Sequence, residues 1–474
     1  MGLSQETDEP LSPSGRMFLR PEFDQIIHCV IGFDCEIDVE AIKLEMGKSA
    51  MVQHPRFSSL FIRDRHGRER WRKVQVDIDR HFIVHEGPIV GDSVSDNIIT
   101  DEDSVNNYIA DLSVSSPLDT DKPLWEYHFL KAHKCAVLRL HHSLGDGISL
   151  MSLFLACCRR YDDPSQLPTI LTAGPPGERS KGLNPWKGLW KLAMAAWLTV
   201  LYVFELGMRI LFLKDKKTIL SGGNGVELWP RKIATAKLIL EDMKVVKKSI
   251  ANSTINDVLM AVISSGLSKY LKLRSPNALP EGHRITGVAF VNLRKQPGQL
   301  ELSQLMKSKS KSGSWWGNKI GIVLLPFGYQ VGGTTTDPLQ SLRWAKAMVD
   351  KKKLSLESLF SHKFGVLFMS CFGPKVATSV IRRVINNTTF TISNVVGPQE
   401  VVTLAGHKIA YIRVNISSFS HAISMHMVSY AGKADIQILA AKDIIPDPQV
   451  LASYFESSLQ EMKKAAIDQI RIRE

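Results

Sequence analysis

Cysteine is scarce, with six in 474 residues, no C-x-x-C pair and no Cys/His cluster at zinc-ligand spacing. That excludes a disulfide scaffold and a zinc-held fold, and points to reduced, mostly buried thiols in a chain folded on the cytosolic side. The first twenty residues lack the apolar core of a secretory signal and carry Glu6, Asp8, Glu9, Pro10 and Pro13 instead, so no cleavable leader is expected. No internal repeat is present, and no uninterrupted apolar run reaches the roughly 20 residues of a clean membrane span. Acidic residues are in deficit, 47 against 59 basic ones, for a formal charge of +12. Such a surface suits anionic lipid, nucleic acid or a polyanionic cosubstrate; no nucleic-acid motif accompanies the charge, and nucleic acid is not expected. What is present is ordinary globular composition, 44% hydrophobic and 22% charged, enough for a large core and, at roughly 100–200 residues per domain, for two to four domains.

One segment stands apart. From Trp186 to Leu213 the chain is largely apolar, and Leu192–Phe204 carries no charge, while Lys187, Lys191, Glu205 and Arg209 bracket the run. At helical spacing Lys191, Thr199, Tyr202, Glu205 and Arg209 fall near one face and leave the rest apolar. Trp186, Trp190 and Trp197 suit a membrane interface, and Lys214, Lys216 and Lys217 give a basic flank for anionic lipid. The expectation is a helix over about 186–213 that meets membrane lipid through residues 186–217, in the plane or spanning. The alternative is a long amphipathic helix packed on the protein itself.

Around this segment the chain divides into a flexible tail (1–10), a first domain (11–170), a linker with the apolar helix (171–225) and a second domain (226–474). Pro168, Pro175, Pro176 and Pro185 mark the linker, Ser221–Gly225 closes it, and Met306–Ser314 reads as a basic surface loop. Both halves mix strands and helices. Cys135–Leu140 is strand-like and runs through a glycine turn into a helix containing Leu150–Leu155. Thr254 with Asp257 resembles a capping box opening a helix from Ile255 to about Leu271. Ile285–Val291, Ile320–Pro326 and Phe390–Val396 read as strands, and Ala422–Ser429 with Ala434–Ala440 as a hairpin. Asp447–Pro448 starts a final helix reaching about residue 470. The class is α/β or α+β in two halves.

The densest chemistry is His141–His142–Ser143–Leu144–Gly145–Asp146–Gly147, where a strand gives way to a helix. A histidine there can act as general base, since its ordinary pKa of about 6.5 lies close to operating pH. Asp146 can orient the loop, tether it through an ion pair, or cap the next helix; Gly145 and Gly147 permit a sharp turn and close approach. Adjacent histidines point apart and no further His/Asp set completes a coordination sphere, so no metal is expected. The competing account is a core histidine beside a helix cap.

His-His-x-x-x-Asp-Gly resembles the active-site signature of the coenzyme-A-dependent acyltransferase superfamily. Glu9–Gly15, Pro123–Glu126, Asn256–Asp257, Val291–Arg294, Gly317–Asn318 and Ser393–Pro398 resemble, in order, segments of the plant wax ester synthase/diacylglycerol acyltransferases. Those enzymes also carry a hydrophobic segment where Leu189–Leu213 falls. The Asp-Phe-Gly-Trp-Gly signature of soluble plant phenolic acyltransferases is missing; Tyr430–Ile436 has no such motif, which favours the lipid branch.

The resemblance implies a chloramphenicol acetyltransferase-like fold, two similar domains with a tunnel at their interface. It implies transfer of a long-chain acyl group from acyl-CoA to a long-chain fatty alcohol, or also to diacylglycerol. His142 would be the general base, His141 a supporting residue, and Asp146 a structural tether with Arg294 as its proposed partner. Gly147 would let the substrate channel pass; Ser393 and Asn394 are candidates for polarising the acyl carbonyl. No permanently bound cofactor is expected, acyl-CoA being the donor substrate, and no Lys or Arg is assigned to it. The expected location is the endoplasmic reticulum membrane, catalytic domains on the cytosolic side, with the plasma membrane as alternative. Asn-x-Ser/Thr triplets at Asn252, Asn386, Asn387 and Asn415 are expected to be unmodified. The rival function is a non-catalytic lipid-binding or transfer protein on the same scaffold, which would not need His142.

Overall fold

The apolar run Ile26–Phe33 is buried along its whole length, as a strand covered on both faces must be. In the computed structural model, which describes residues 8–89, 100–169, 185–275, 282–293, 316–329, 337–417 and 419–471, this strand is central to a seven-stranded sheet. In spatial order that sheet runs Phe82–His85, Trp125–Leu130, Cys135–His141, Ile26–Phe33, His407–Ile416, Val402–Leu404 and Cys158–Arg160. A second, six-stranded sheet runs Ile320–Gly328, Arg284–Asn292, Phe390–Val396, Ile423–Tyr430, Lys433–Ala441 and Arg231–Ile239. Both are mixed: parallel pairing joins Phe390–Val396 to its two neighbours, and Phe82–His85 to Trp125–Leu130.

The second half of the chain returns once to the first. Val402–Leu404 and His407–Ile416 belong to the seven-stranded sheet, so no single point in the sequence separates the two sheets. Each sheet carries its own core, the second under Ile255–Arg274 and Pro448–Arg471. The first of these helices opens with the expected capping box, Thr254 and Asp257 each accepting from the other's backbone N–H. The expected hairpin is also present, turning at Ala431–Gly432, both with positive φ. The Met306–Ser314 loop, and the linker from 170 to 184, lie outside the described residues.

The apolar segment is a helix, Pro185–Leu211, and it is inside out. Two of its polar residues turn toward the protein: Tyr202 and Arg209 are buried, while Trp190, Leu192, Trp197 and Phe204 are each 59–67% exposed. Arg209 explains the orientation. Its guanidinium meets Glu205 and Asp215, each at 3.1 Å, and donates to the Asn387 carbonyl and Thr286 Oγ1. Asp215 in turn accepts from the Thr286 amide and from Thr389 Oγ1. A buried arginine is tolerable only when its donors are satisfied in this way.

A second long apolar helix, which sequence patterning missed, spans Glu357–Asn386 and packs against the first. It is broken at Gly373, whose φ of 78° lies outside the helical region, next to Pro374, which lacks the N–H a continuous helix needs. By length and composition alone both helices could cross a membrane.

Candidate active site

The strand Cys135–His141 ends beside Ile26–Phe33, and the backbone at residue 142 is fixed from two directions. The His142 N–H donates to the Gln25 carbonyl at 2.8 Å, and its C=O accepts from Asn318 Nδ2 at 2.8 Å. Its imidazole stacks on Phe18, ring centroids 4.2 Å apart and planes 15° from parallel. The ring lines a cavity of 140 Å³ where the two sheets meet, with Leu138 and Leu140 from the first and Thr391, Ser393 and His426 from the second. His141 points elsewhere, as alternation along a strand requires. Its Nε2 lies 2.8 Å from Asp24 Oδ1 and its Nδ1 2.6 Å from Ser143 Oγ.

Asp146 is buried and serves both halves of the chain. Oδ1 accepts from the Ser149 amide at 3.0 Å, capping the helix Gly147–Ala156, and Oδ2 accepts from the Lys319 amide at 3.0 Å. The segment 316–319 thereby clamps the loop 142–146 three times, because Trp316 Nε1 also donates to the Leu144 carbonyl and Asn318 to that of His142. Gly147 lines the cavity at the helix start; a Cβ there would sit 3.1 Å from Val395 Cγ2.

Burial pushes the His142 imidazole down to about 4, with its own carbonyl and the Asp146 carboxylate acting in the opposite sense. Its Nδ1 is buried without a hydrogen-bond partner. A ring so placed is neutral at pH 7, the form a general base needs. Burial lowers His421 to about 4 and His426 to about 3, the latter helped by its neighbour His142. In the unfolded chain these rings would titrate near about 6.5. Between the two values the unfolded chain binds protons that the folded one refuses, so their contribution is complete above the unfolded value and is lost as pH falls toward 4. Thermal unfolding followed from neutral pH down to about pH 4.5 is expected to give a falling Tm from about pH 6.5. A flat profile would contradict the burial of these neutral rings.

Of the residues singled out from sequence, His142, Asp146, Gly147, Ser393 and Asn394 line one cavity, and His141 stands behind it. Ser393 Oγ is 2.8 Å from His426 Nδ1. Asn394 gives one N–H to Asn256 Oδ1, at 2.7 Å, and its amide carries a second. Arg294 lies outside the described residues; the tether that Asp146 makes among them is to the Lys319 amide. Sequence reasoning missed Phe18, Asp24 and His426. It met Asn318 only as part of a familiar short motif, with no role attached.

In the solved structures this arrangement has a recognisable class. The wax ester synthase/diacylglycerol acyltransferase of Marinobacter aquaeolei VT8 superposes with a TM-score of 0.56 at 17% identity, covering 96% of this chain and 99% of that one. The first condensation domain of the calcium-dependent antibiotic synthetase gives 0.54 at 13% identity, with 98% of each chain covered. The fold is therefore the two-domain mixed α/β architecture shared by these acyltransferases and condensation domains.

Sequence narrows the class to a family. The model of the wax ester synthase/diacylglycerol acyltransferase catalytic domain matches residues 100–259, and that of the WS/DGAT C-terminal domain matches 316–463. Wax ester synthase/diacylglycerol acyltransferase 11 of Arabidopsis thaliana is 35% identical over 97% of this chain and 96% of its own. Number 5 from the same plant is 34% identical over 97% and 94%. The chain belongs to the wax ester synthase/diacylglycerol acyltransferase family and is an acyltransferase.

Proposed function

We propose that the chain moves a long-chain acyl group from acyl-CoA to a long-chain fatty alcohol, making a wax ester, with diacylglycerol as a second acceptor. One observation carries the mechanism: a buried imidazole, held neutral, faces an apolar cavity at the junction of the two sheets. His142 takes the hydroxyl proton as the alcohol oxygen attacks the thioester carbon. The carbonyl electrons move onto oxygen, where Ser393 and Asn394, both on the cavity wall, are the candidate donors; such a contact is commonly worth about 2.7–4 kcal/mol. Collapse of the adduct breaks the C–S bond, and the imidazolium returns its proton to the departing CoA thiolate. No covalent enzyme intermediate and no resident cofactor is needed.

A second cavity of 820 Å³ shares Ile148, Met151, Phe290, Asn292, Ser393 and Asn394 with the first. Lys247, Lys352 and Lys353 line it, and we assign them to the CoA phosphates. Lys352 and Lys353 also face Glu357 and Asp257, at 3.1 and 3.8 Å. In this reading 11–170 and 226–474 are the two acyltransferase domains, the segment 402–416 being lent to the first. The exposed apolar helix supports attachment to the endoplasmic reticulum membrane, where a long-chain alcohol resides.

Membranes carrying the protein, given labelled palmitoyl-CoA with hexadecanol or diacylglycerol in separate reactions, test this. Wax ester is expected from hexadecanol. Product from diacylglycerol alone would keep the chemistry and move the acceptor. No product from either, with the protein folded and lipid still bound, would overturn the reading in favour of a lipid carrier.

A further inference from the structure

The two apolar helices are joined by more than their composition. Between them runs a narrow groove lined by Tyr202, Leu206, Ile210, Phe364, Phe368 and Ile381. Phe368 and Ile381 also pack in one apolar cluster with Phe18, Phe290 and Phe419, and those three line the catalytic cavity. Phe18 is the ring stacked on His142. Apolar side chains thus form the partition between the groove and the base.

Both rims of the groove are built for a bilayer. Leu367, Phe372 and Val376 on one helix, and Trp197, Val200 and Phe204 on the other, are 45–67% exposed. The acidic residues of the two helices are turned away: Glu205 pairs with Arg209, and Glu357 is buried against Lys352. Lys191, Lys214, Lys216, Lys217 and Lys375 are exposed, giving the charge complementary to anionic headgroups. The Arg209 network holds the first helix against the protein, and the second, bent at Gly373–Pro374, packs on the first.

Resting on the acyl-transfer reading above, we propose that these helices form a lateral portal seated on an anionic bilayer. The hydrocarbon chain of the lipid acceptor passes between them and through the Phe368–Phe290–Phe419 partition to His142. Acceptor then arrives from lipid and acyl-CoA from water, by separate routes to one base.

Gly365 gives a direct test. It lines the groove, its φ is not left-handed, and an added Cβ meets nothing within 4 Å. Gly365→Leu therefore adds a bulky side chain to the groove lining without backbone strain and at a gain in helix propensity. The ratio of kcat/KM for hexadecanol to that for butanol is expected to fall about tenfold or more, since methylenes filling an apolar pocket are worth roughly 10–200-fold. Gly365→Ala should give a smaller change in the same direction. An unchanged ratio in a variant whose Tm is preserved would overturn the portal. Phe204→Glu, on the outer rim, is expected to abolish flotation with phosphatidylcholine/phosphatidylserine vesicles at unchanged Tm; flotation that persists would overturn the membrane seat. Wild-type protein making no ester from either alcohol would instead strike the acyl-transfer reading.

Discussion

Replacing His142 by alanine is expected to lower kcat for ester formation by about 10²–10⁴-fold, the ordinary worth of general-base assistance. An alcohol is too weak an acid to attack a thioester unaided. His426 lines the same cavity and is the competitor, but burial and its neighbour His142 push it down further, to about 3, which makes it the weaker base. The variant should fold. The hydrogen bonds that fix residue 142 run through its backbone, to Gln25 and Asn318, and a buried ring nitrogen without a partner disappears with the side chain. Initial rates with saturating palmitoyl-CoA and hexadecanol, alongside a thermal melt, check both statements. A folded variant turning over at the wild-type rate would remove His142 from the mechanism.

Asp146→Asn is expected to damage the enzyme by a different route. The carboxylate accepts from two backbone amides on opposite sides, Ser149 and Lys319. An asparagine of the same shape keeps one acceptor oxygen and puts an NH2 group in place of the other, so one backbone amide must face a donor. Leaving a buried polar group unsatisfied costs about 1–3 kcal/mol. The loss falls on the helix cap or on the clamp from 316–319, and either loosens the loop that presents His142. The expected result is a lower Tm together with a drop in kcat of at least about tenfold, the effect of 1.36 kcal/mol at the transition state. An intact Tm with full activity would show that the two-sided clamp is dispensable.

These two residues were legible in the sequence because their chemistry is compressed into seven positions. A strand ending in paired histidines, then Asp-Gly before an apolar helix, announces both a projecting side chain and a cap. Phe390–Val396 was equally plain from its β-branched and apolar pattern, and the structure gives it the same bounds. The clamp from Trp316, Asn318 and Lys319 was not, since it joins segments more than 170 positions apart and leaves no local trace. His426 lies in a buried strand, Ile423–Tyr430, where nothing nearby marks one polar side chain as facing a cavity. The apolar helix shows a third limit. Periodicity put Tyr202 and Arg209 on one face, together with Lys191, which is exposed; it left open whether the helix packs on the protein, because that depends on Asp215, Thr286 and Asn387 receiving Arg209. The broken helix escaped notice because Gly365, Gly373, Lys363 and Lys375 interrupt its apolar pattern.

The return of His407–Ile416 to the first sheet bears on how the chain comes into being. Ile26–Phe33 finds its second neighbour only there, and Ser417 bonds to Ile26 across 391 positions. During synthesis from the N-terminus, Ile26–Phe33 keeps an open edge on the side away from Cys135–His141 until almost the whole polypeptide has left the ribosome. Such edges invite mispairing, and contacts so distant in sequence form slowly. The same connection ensures that a nascent chain interrupted before residue 407 cannot complete the sheet that carries His142. Activity and completion of translation are thereby coupled in one strand.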